Sequence, residues 1–230
     1  MENIAHEIYE LLNETKIAFT VPIFGGIPIP NSVVVTWGIM AVVVLFCIIF
    51  VRGLEIMPGR MQTAVELGVC WIYDFFGEIL GEKGKKYIPY LGTVLIYIGC
   101  ANIVGLFGLT PPTKDLNVTA GLAIMSIVLV EFAAIRAKGA KGWLRSFKSP
   151  MAVMVPFNIL ELVIKPLSLC MRLFGNVLGA FVIMELIKAV VPMIVPLPFS
   201  FYFDIFDGLL QAYVFVFLTS LYIGEAMDDE

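Results

Sequence analysis

"PFNILELVIKPLSLCMRLFGNVLGAFVIMELIKAVV", residues 156–191, decides how this chain folds. A helix needs about 20 apolar residues to cross a hydrocarbon core of about 30 Å. This run is longer than that, without a turn signal, and it is unusually polar for a membrane segment. Taken as a helix at about 100° per residue, it gathers Asn158, Glu161, Lys165, Ser168, Arg172 and Asn176 into a stripe roughly 80° wide. Gly175 and Gly179 lie on or beside the same face, a small-xxx-small pair that lets another helix come close. Arg172 is the residue that most needs a reason. Arginine stays charged because its pKa is above about 12, and a charge in mid-bilayer costs about 2.5–3.5 kcal/mol on insertion scales. Pairing of Glu161 with Lys165, one turn apart, explains those two as a polar face closed on itself. It does not explain Arg172, three turns from Glu161.

The rest of the chain has the composition of a membrane protein. Of 230 residues, 60% are hydrophobic and 15% charged, against about 25% charged in soluble domains; the mean hydropathy is +0.93. A net charge of −4 argues against nucleic acid as a partner. Cys47, Cys70, Cys100 and Cys170 are scattered through apolar runs, where cysteine acts as a small hydrophobe. The single histidine, His6, lies in the polar N-terminal segment, so no metal site of the usual His/Cys kind is expected. "MENIAHEIYELLNETK" is acidic and lacks the form of a cleaved signal.

The expected fold is an all-α integral membrane protein, one membrane domain over residues 1–230. It has about five membrane-spanning helices plus an amphipathic surface helix. An external N-terminal segment (1–31) precedes a first span at 32–51. Residues 61–80 place Gln62, Thr63, Glu66, Asp74 and Glu78 on one half of a helix and Trp71, Ile72, Phe75, Phe76 and Ile79 on the other. That suits a helix on the membrane surface, or a hairpin partner. Spans follow at 87–110 and 116–135, then a cytoplasmic basic loop at 136–149, the arginine-bearing helix at 156–191 and a last helix at 199–224, before an acidic tail "EAMDDE". With alternating spans, ten lysines and arginines fall on one side and only Lys16 and Lys114 on the other. The positive-inside rule then puts the N-terminus outside and the C-terminus in the cytoplasm.

The last helix contributes Asp204, Asp207 and Gln211; Asp204 and Gln211, seven apart, share one face of an α-helix. Acids inside membrane helices usually mark an ion or proton path. Glu185, Asp204 and Asp207 cluster toward the outside, Glu161 toward the cytoplasm, and Arg172 separates them. Such a layout lets cations move along two hydrated half-paths while the fixed positive charge blocks a direct run through. A carboxyl presented by a partner near Arg172 would be held ionised, since an opposite charge within about 4–6 Å lowers a carboxyl pKa by about 1–3 units.

These motifs resemble subunit a of the F-type ATP synthase, the stator channel beside the rotating ring of c subunits. "KPLSLCMRLFGNVLG" (165–179) is similar to that family's signature, "PPTKDLNVT" (111–119) to its loop before the fourth helix, and "LLQAYVFVFLTSLYIGEA" (209–226) to its final helix. "PFNILE" (156–161) extends the likeness over most of the chain. The resemblance implies that Arg172 faces the ion-binding carboxylate of the c-ring and that Asn176 and Gln211 line its neighbourhood. Asp204 then lines the outer half-channel and Glu161 lies near the cytoplasmic one. It also implies that the arginine helix and the last helix form a tilted membrane hairpin against the c-ring, with Gly175 and Gly179 facing the ring. A c-ring, peripheral stalk b subunits, the lipid bilayer and a translocated proton or sodium ion are the implied partners. A bacterial inner membrane is the expected location. No catalytic residue, metal or cofactor is expected, and the ATP chemistry belongs to other chains. Many family members carry an acid or histidine nine residues after the arginine; here that position is Phe181, and Glu185, one turn on, is expected to take the role. A secondary transporter with a mid-membrane polar site is the alternative, but it usually carries internal repeats, and none is found. An intramembrane enzyme would need a nucleophile with a base, and Ser168 has no histidine to work with.

Overall fold

The computed structural model describes residues 17–21, 27–51, 59–146, 155–190 and 196–227. The sequence readings for His6, for the turn at 191–195 and for residues 228–230 lie outside them. Within the N-terminal segment, strands β1 (Ile17–Val21) and β2 (Ile27–Pro30) pair antiparallel. Otherwise the described elements are helical: α1 (Asn31–Val51), α2 (Arg60–Gly84), α3 (Ile88–Ile103), α4 (Leu116–Ser146), α5 (Val155–Val190), the short α6 (Pro196–Ser200) and α7 (Gly208–Met227). A π-helical segment, Phe201–Asp207, joins α6 to α7. Among the described residues, five stretches are long and apolar enough to cross a membrane: Asn31–Val51, Arg60–Phe107, Leu116–Ser146, Val155–Lys188 and Pro198–Met227.

The centre of the bundle is α7, which packs on α2, α3 and α4; α5 packs chiefly on α4, and α1 stays at the edge. Phe215, Val216 and Ile223 of α7 are buried with Ile88, Leu91 and Ile98 of α3, Phe76 of α2 and Val130 of α4. The amphipathic helix α2 joins this core by its apolar side, where Phe75 meets the rings of Tyr213 and Phe217. Glu66, Asp74 and Glu78 are exposed on its other side. Asp115 starts α4 in the way an N-cap does: its Oδ1 accepts from the Asn117 backbone N–H at 3.0 Å. Its other oxygen accepts from Ser32 at 2.7 Å and ties α1 to this corner.

Where α3 and α7 cross, only glycine fits. A Cβ on Gly208 would stand 2.7 Å from the Asn102 Cβ. The buried Asn102 donates to the Gly208 carbonyl at 2.9 Å and accepts from Thr113 at 2.8 Å. Gly208→Ala is therefore expected to destabilise the chain by about 1–3 kcal/mol, the cost of overpacking a filled core. Thermal unfolding in detergent measures it; an unchanged midpoint would show that the crossing can relax.

The basic stretch 136–149, read from sequence as a loop, is helical as far as Ser146, with a break at Gly139, whose φ is 74°. Alanine, lysine, arginine and leucine are good helix formers, and glycine alone tolerates the left-handed turn. The break folds the chain back. In a straight helix Glu131 and Trp143 would be about 18 Å apart along the axis, yet the Trp143 indole N–H donates to Glu131 at 2.7 Å. The acidic tail begins later than the sequence suggested, because α7 runs on to Met227 and takes in Glu225.

Candidate functional site

One side of α5 is filled and the other is bare. Leu169, Cys170, Leu173 and Met184 are buried. Leu160, Ile164, Leu167, Met171, Arg172 and Gly175 are exposed along the opposite side. Among the described residues the Arg172 guanidinium makes no hydrogen bond or ion pair with its own chain. A Cβ on Gly175 or Gly179 would meet nothing within 4 Å. So the arginine stands beside small residues on a face that the bundle leaves uncovered.

Asn176, one turn beyond Arg172, connects this face to α7. Its amide donates to Gln211 Oε1 at 3.1 Å and to Asp207 Oδ1 at 3.3 Å. Gln211 is only 3% exposed, and its Nε2 has no protein partner. A buried donor left open is costly, and this one borders a cavity of about 520 Å³ large enough for several waters. The same cavity is lined by Asn176, Glu185, Asp204 and Asp207. Sequence reasoning had grouped the three acids on the outer side and set Asn176 and Gln211 beside Arg172; the fold brings all five to one hollow between α5, α7 and the turn after α3, without the arginine. Arg172, Gly175, Gly179 and Glu161 do not line it.

The acids are held differently. Asp204 accepts from Ser200 at 2.6 Å and leans over Gly105, where a Cβ would be 2.8 Å from its Oδ1. Glu185 pairs with Lys188 at 2.9 Å, one turn away on its own helix. The π-helical segment carries both aspartates, so the α-helical spacing that set Asp204 over Gln211 does not hold there; π turns inside α-helices are frequent at functional sites. Phe181 also lines the hollow, and the Lys114 ammonium sits 3.4 Å from its ring centroid. Glu161 lies apart. It pairs with Lys165 at 3.1 Å, and Lys165 also reaches Glu225 on α7 at 3.2 Å. Asn102, Lys188, Ser200 and Glu225 were not singled out from sequence. A lone asparagine in the apolar run of α3 was the available signal for the first, whereas Glu225 was hidden by its acidic neighbours.

A model of the family described as ATP synthase A chain matches residues 33–224. The chain belongs to the ATP synthase subunit a family. ATP synthase subunit a of Moorella thermoacetica is 35% identical over 201 residues, 87% of this chain and 92% of the relative. The protein named ATP synthase subunit a, sodium ion specific, of Propionigenium modestum is 33% identical over 220 residues, 89% of this chain and 76% of the relative. The chloroplastic subunit a of Stigeoclonium helveticum is 33% identical over 217 residues, covering 89% and 87%. As a subunit a, the chain is an integral membrane protein of the Fo sector and is itself non-catalytic.

Proposed function

We propose that this subunit a is the ion-translocating stator of its ATP synthase, with Arg172 as the charge that couples ion flow to rotation of a c-ring. The observation that carries this reading is the guanidinium itself. It is exposed, unpaired within the described chain, and followed on the same side of the helix by Gly175 and Gly179. A membrane protein keeps such a charge only if a partner offsets its cost. A carboxylate on a close-packed partner helix would do so, and would be held ionised while it faced the arginine. The cavity with Glu185, Asp204, Asp207, Asn176 and Gln211 is the outer half-path in this reading, and Glu161 belongs to the cytoplasmic one. Ions enter from the outside, load the partner carboxyl, and leave after the rotor has turned. Each unit charge crossing delivers about 2.3 kcal/mol per 100 mV, so several steps drive one ATP on the catalytic subunits. Peripheral stalk b subunits hold the chain against the torque. We place the chain in a bacterial inner membrane, and we assign the N-terminus to the outside and the C-terminus to the cytoplasm on the ten-to-two distribution of lysine and arginine.

The test is ATP-driven ion uptake by the whole complex in sealed vesicles, with and without sodium. Acidification of the lumen in sodium-free buffer is the expected result. A strict need for sodium would replace the proton as the ion, and uptake that persists without this subunit would remove the chain from the path. Asp207→Asn is expected to slow uptake about 10-fold, less than the about 100-fold or more typical of a positioned proton-transfer group, because two other acids share the cavity. Unchanged uptake would take Asp207 off the route.

A further inference from the structure

Away from the cavity, the ammonium of Lys165 is engaged three ways. It meets Glu161 on its own helix at 3.1 Å, Glu225 on α7 at 3.2 Å, and the ring of Tyr222 at 5.0 Å from the centroid. The residue that follows is Pro166, inside α5. Proline has no N–H to give to the carbonyl of Leu162, so the helix is softest there. Before this joint, the stretch 155–165 has little packing of its own. Phe157, Ile159, Leu160, Val163 and Ile164 are exposed, and Leu162 is the residue that joins the core cluster.

We infer that Lys165 is a positioning residue, a latch that holds the part of α5 before Pro166 against α7 through Glu225 and so sets where Arg172 stands. Helix α5 is tied to α7 at two levels: Lys165 to Glu225, and Asn176 to Gln211 and Asp207. Arg172 lies between them. From Lys165 to Asn176 is about 16 Å of helix axis, and from Glu225 back to Gln211 about 21 Å. The two helices are therefore not in matched register, and the long reach of the lysine takes up the difference. Glu161 competes with Glu225 for the same ammonium. A cation or proton on Glu161 releases the lysine to Glu225 and tightens the latch. The effect on coupling rests on the proposed role of Arg172, and the last step on that of Glu161; the tie between α5 and α7 needs neither.

The experiment uses the assembled complex in vesicles and measures ions taken up per ATP hydrolysed. Glu225→Gln is expected to lower that ratio about 3- to 10-fold, since misplacing a reacting group by about 1 Å costs up to about 100-fold. Lys165→Arg, which keeps charge and reach, should hold at least about half of the ratio. The exchange Lys165→Glu with Glu225→Lys should restore most of it. Loss in Glu225→Gln that the exchange does not restore would make Glu225 an ion carrier and overturn the latch, as would full coupling in Glu225→Gln. A second measurement is independent of transport. Spin labels at Phe157→Cys and Leu221→Cys, both exposed positions, are placed with Cys47, Cys70, Cys100 and Cys170 changed to alanine. Their distance should lengthen and broaden in Glu225→Gln and stay unchanged in Lys165→Arg. An unmoved distance with impaired coupling would also rule the latch out. If Arg172→Ala left coupling intact while the labels still moved, the stator reading would fail and the latch would stand.

Discussion

Arg172→Ala is expected to abolish coupled ion uptake, a fall of about 100-fold or more, as when a preorganised electrostatic partner is removed. ATP hydrolysis by the catalytic subunits should be partly retained. The cause is local. The guanidinium has no partner in the described chain to leave stranded, so its loss should not unfold the subunit. What disappears, on the function proposed above, is the charge that would keep a passing carboxylate ionised. Arg172→Lys is the sharper variant. Lysine is a compact point charge that gives up its proton when desolvated, so coupling should stay below about a tenth of the native value. Uptake driven by ATP that survives in both variants would leave the arginine without the role assigned to it.

The second large effect is expected from Gly179→Leu. A Cβ there meets nothing within 4 Å in this chain, and the same holds at Gly175. Leucine is also a better helix former than glycine by about 1 kcal/mol. The isolated subunit should therefore keep or slightly raise its unfolding temperature. In the complex, if a partner helix approaches over this face as proposed, the added side chain would occupy its space, and uptake should fall by more than about 10-fold, because close helix contact in membranes depends on small residues. Gly68→Leu on α2 has equally open surroundings and should leave uptake within about 2-fold, as surface changes usually do. Equal effects at Gly179 and Gly68 would mean that nothing packs closely on this face.

The helical, membrane-embedded character was readable because long apolar runs leave few alternatives. Glu185, Asp204, Asp207, Asn176 and Gln211 could be picked out for a different reason, since each is a polar residue in a setting that penalises polarity; that Asn176 and Gln211 share a hollow with the acids rather than with Arg172 came from the fold. What could not be read was tertiary or exceptional in its geometry. The contact of Asn102 with Gly208 depends on two segments about a hundred positions apart meeting with no room for a Cβ. The run 201–207 contains no residue type that announces a π turn, so an α-helical face was assumed for its aspartates. The basic stretch after Ile135 was taken for a loop on its charge and glycines, although its remaining residues favour helix and only Gly139 breaks it. Glu225 was grouped with the tail because acids at a chain end look like a solvated terminus, whereas its partner Lys165 lies 60 positions upstream.

The wide coil at 201–207 also makes this spot tolerant of a change in chain length. A π turn accommodates one more residue than an α turn, so losing a single residue there would let the segment rewind as ordinary helix while both flanks kept their own bonding. The flank that carries Gln211 would not notice. Asp204 would swing toward a different wall of the hollow. A one-residue gap at this place in a homologue would thus amount to re-aiming an acid, altering the lining of the hollow by deletion alone, without changing any side chain.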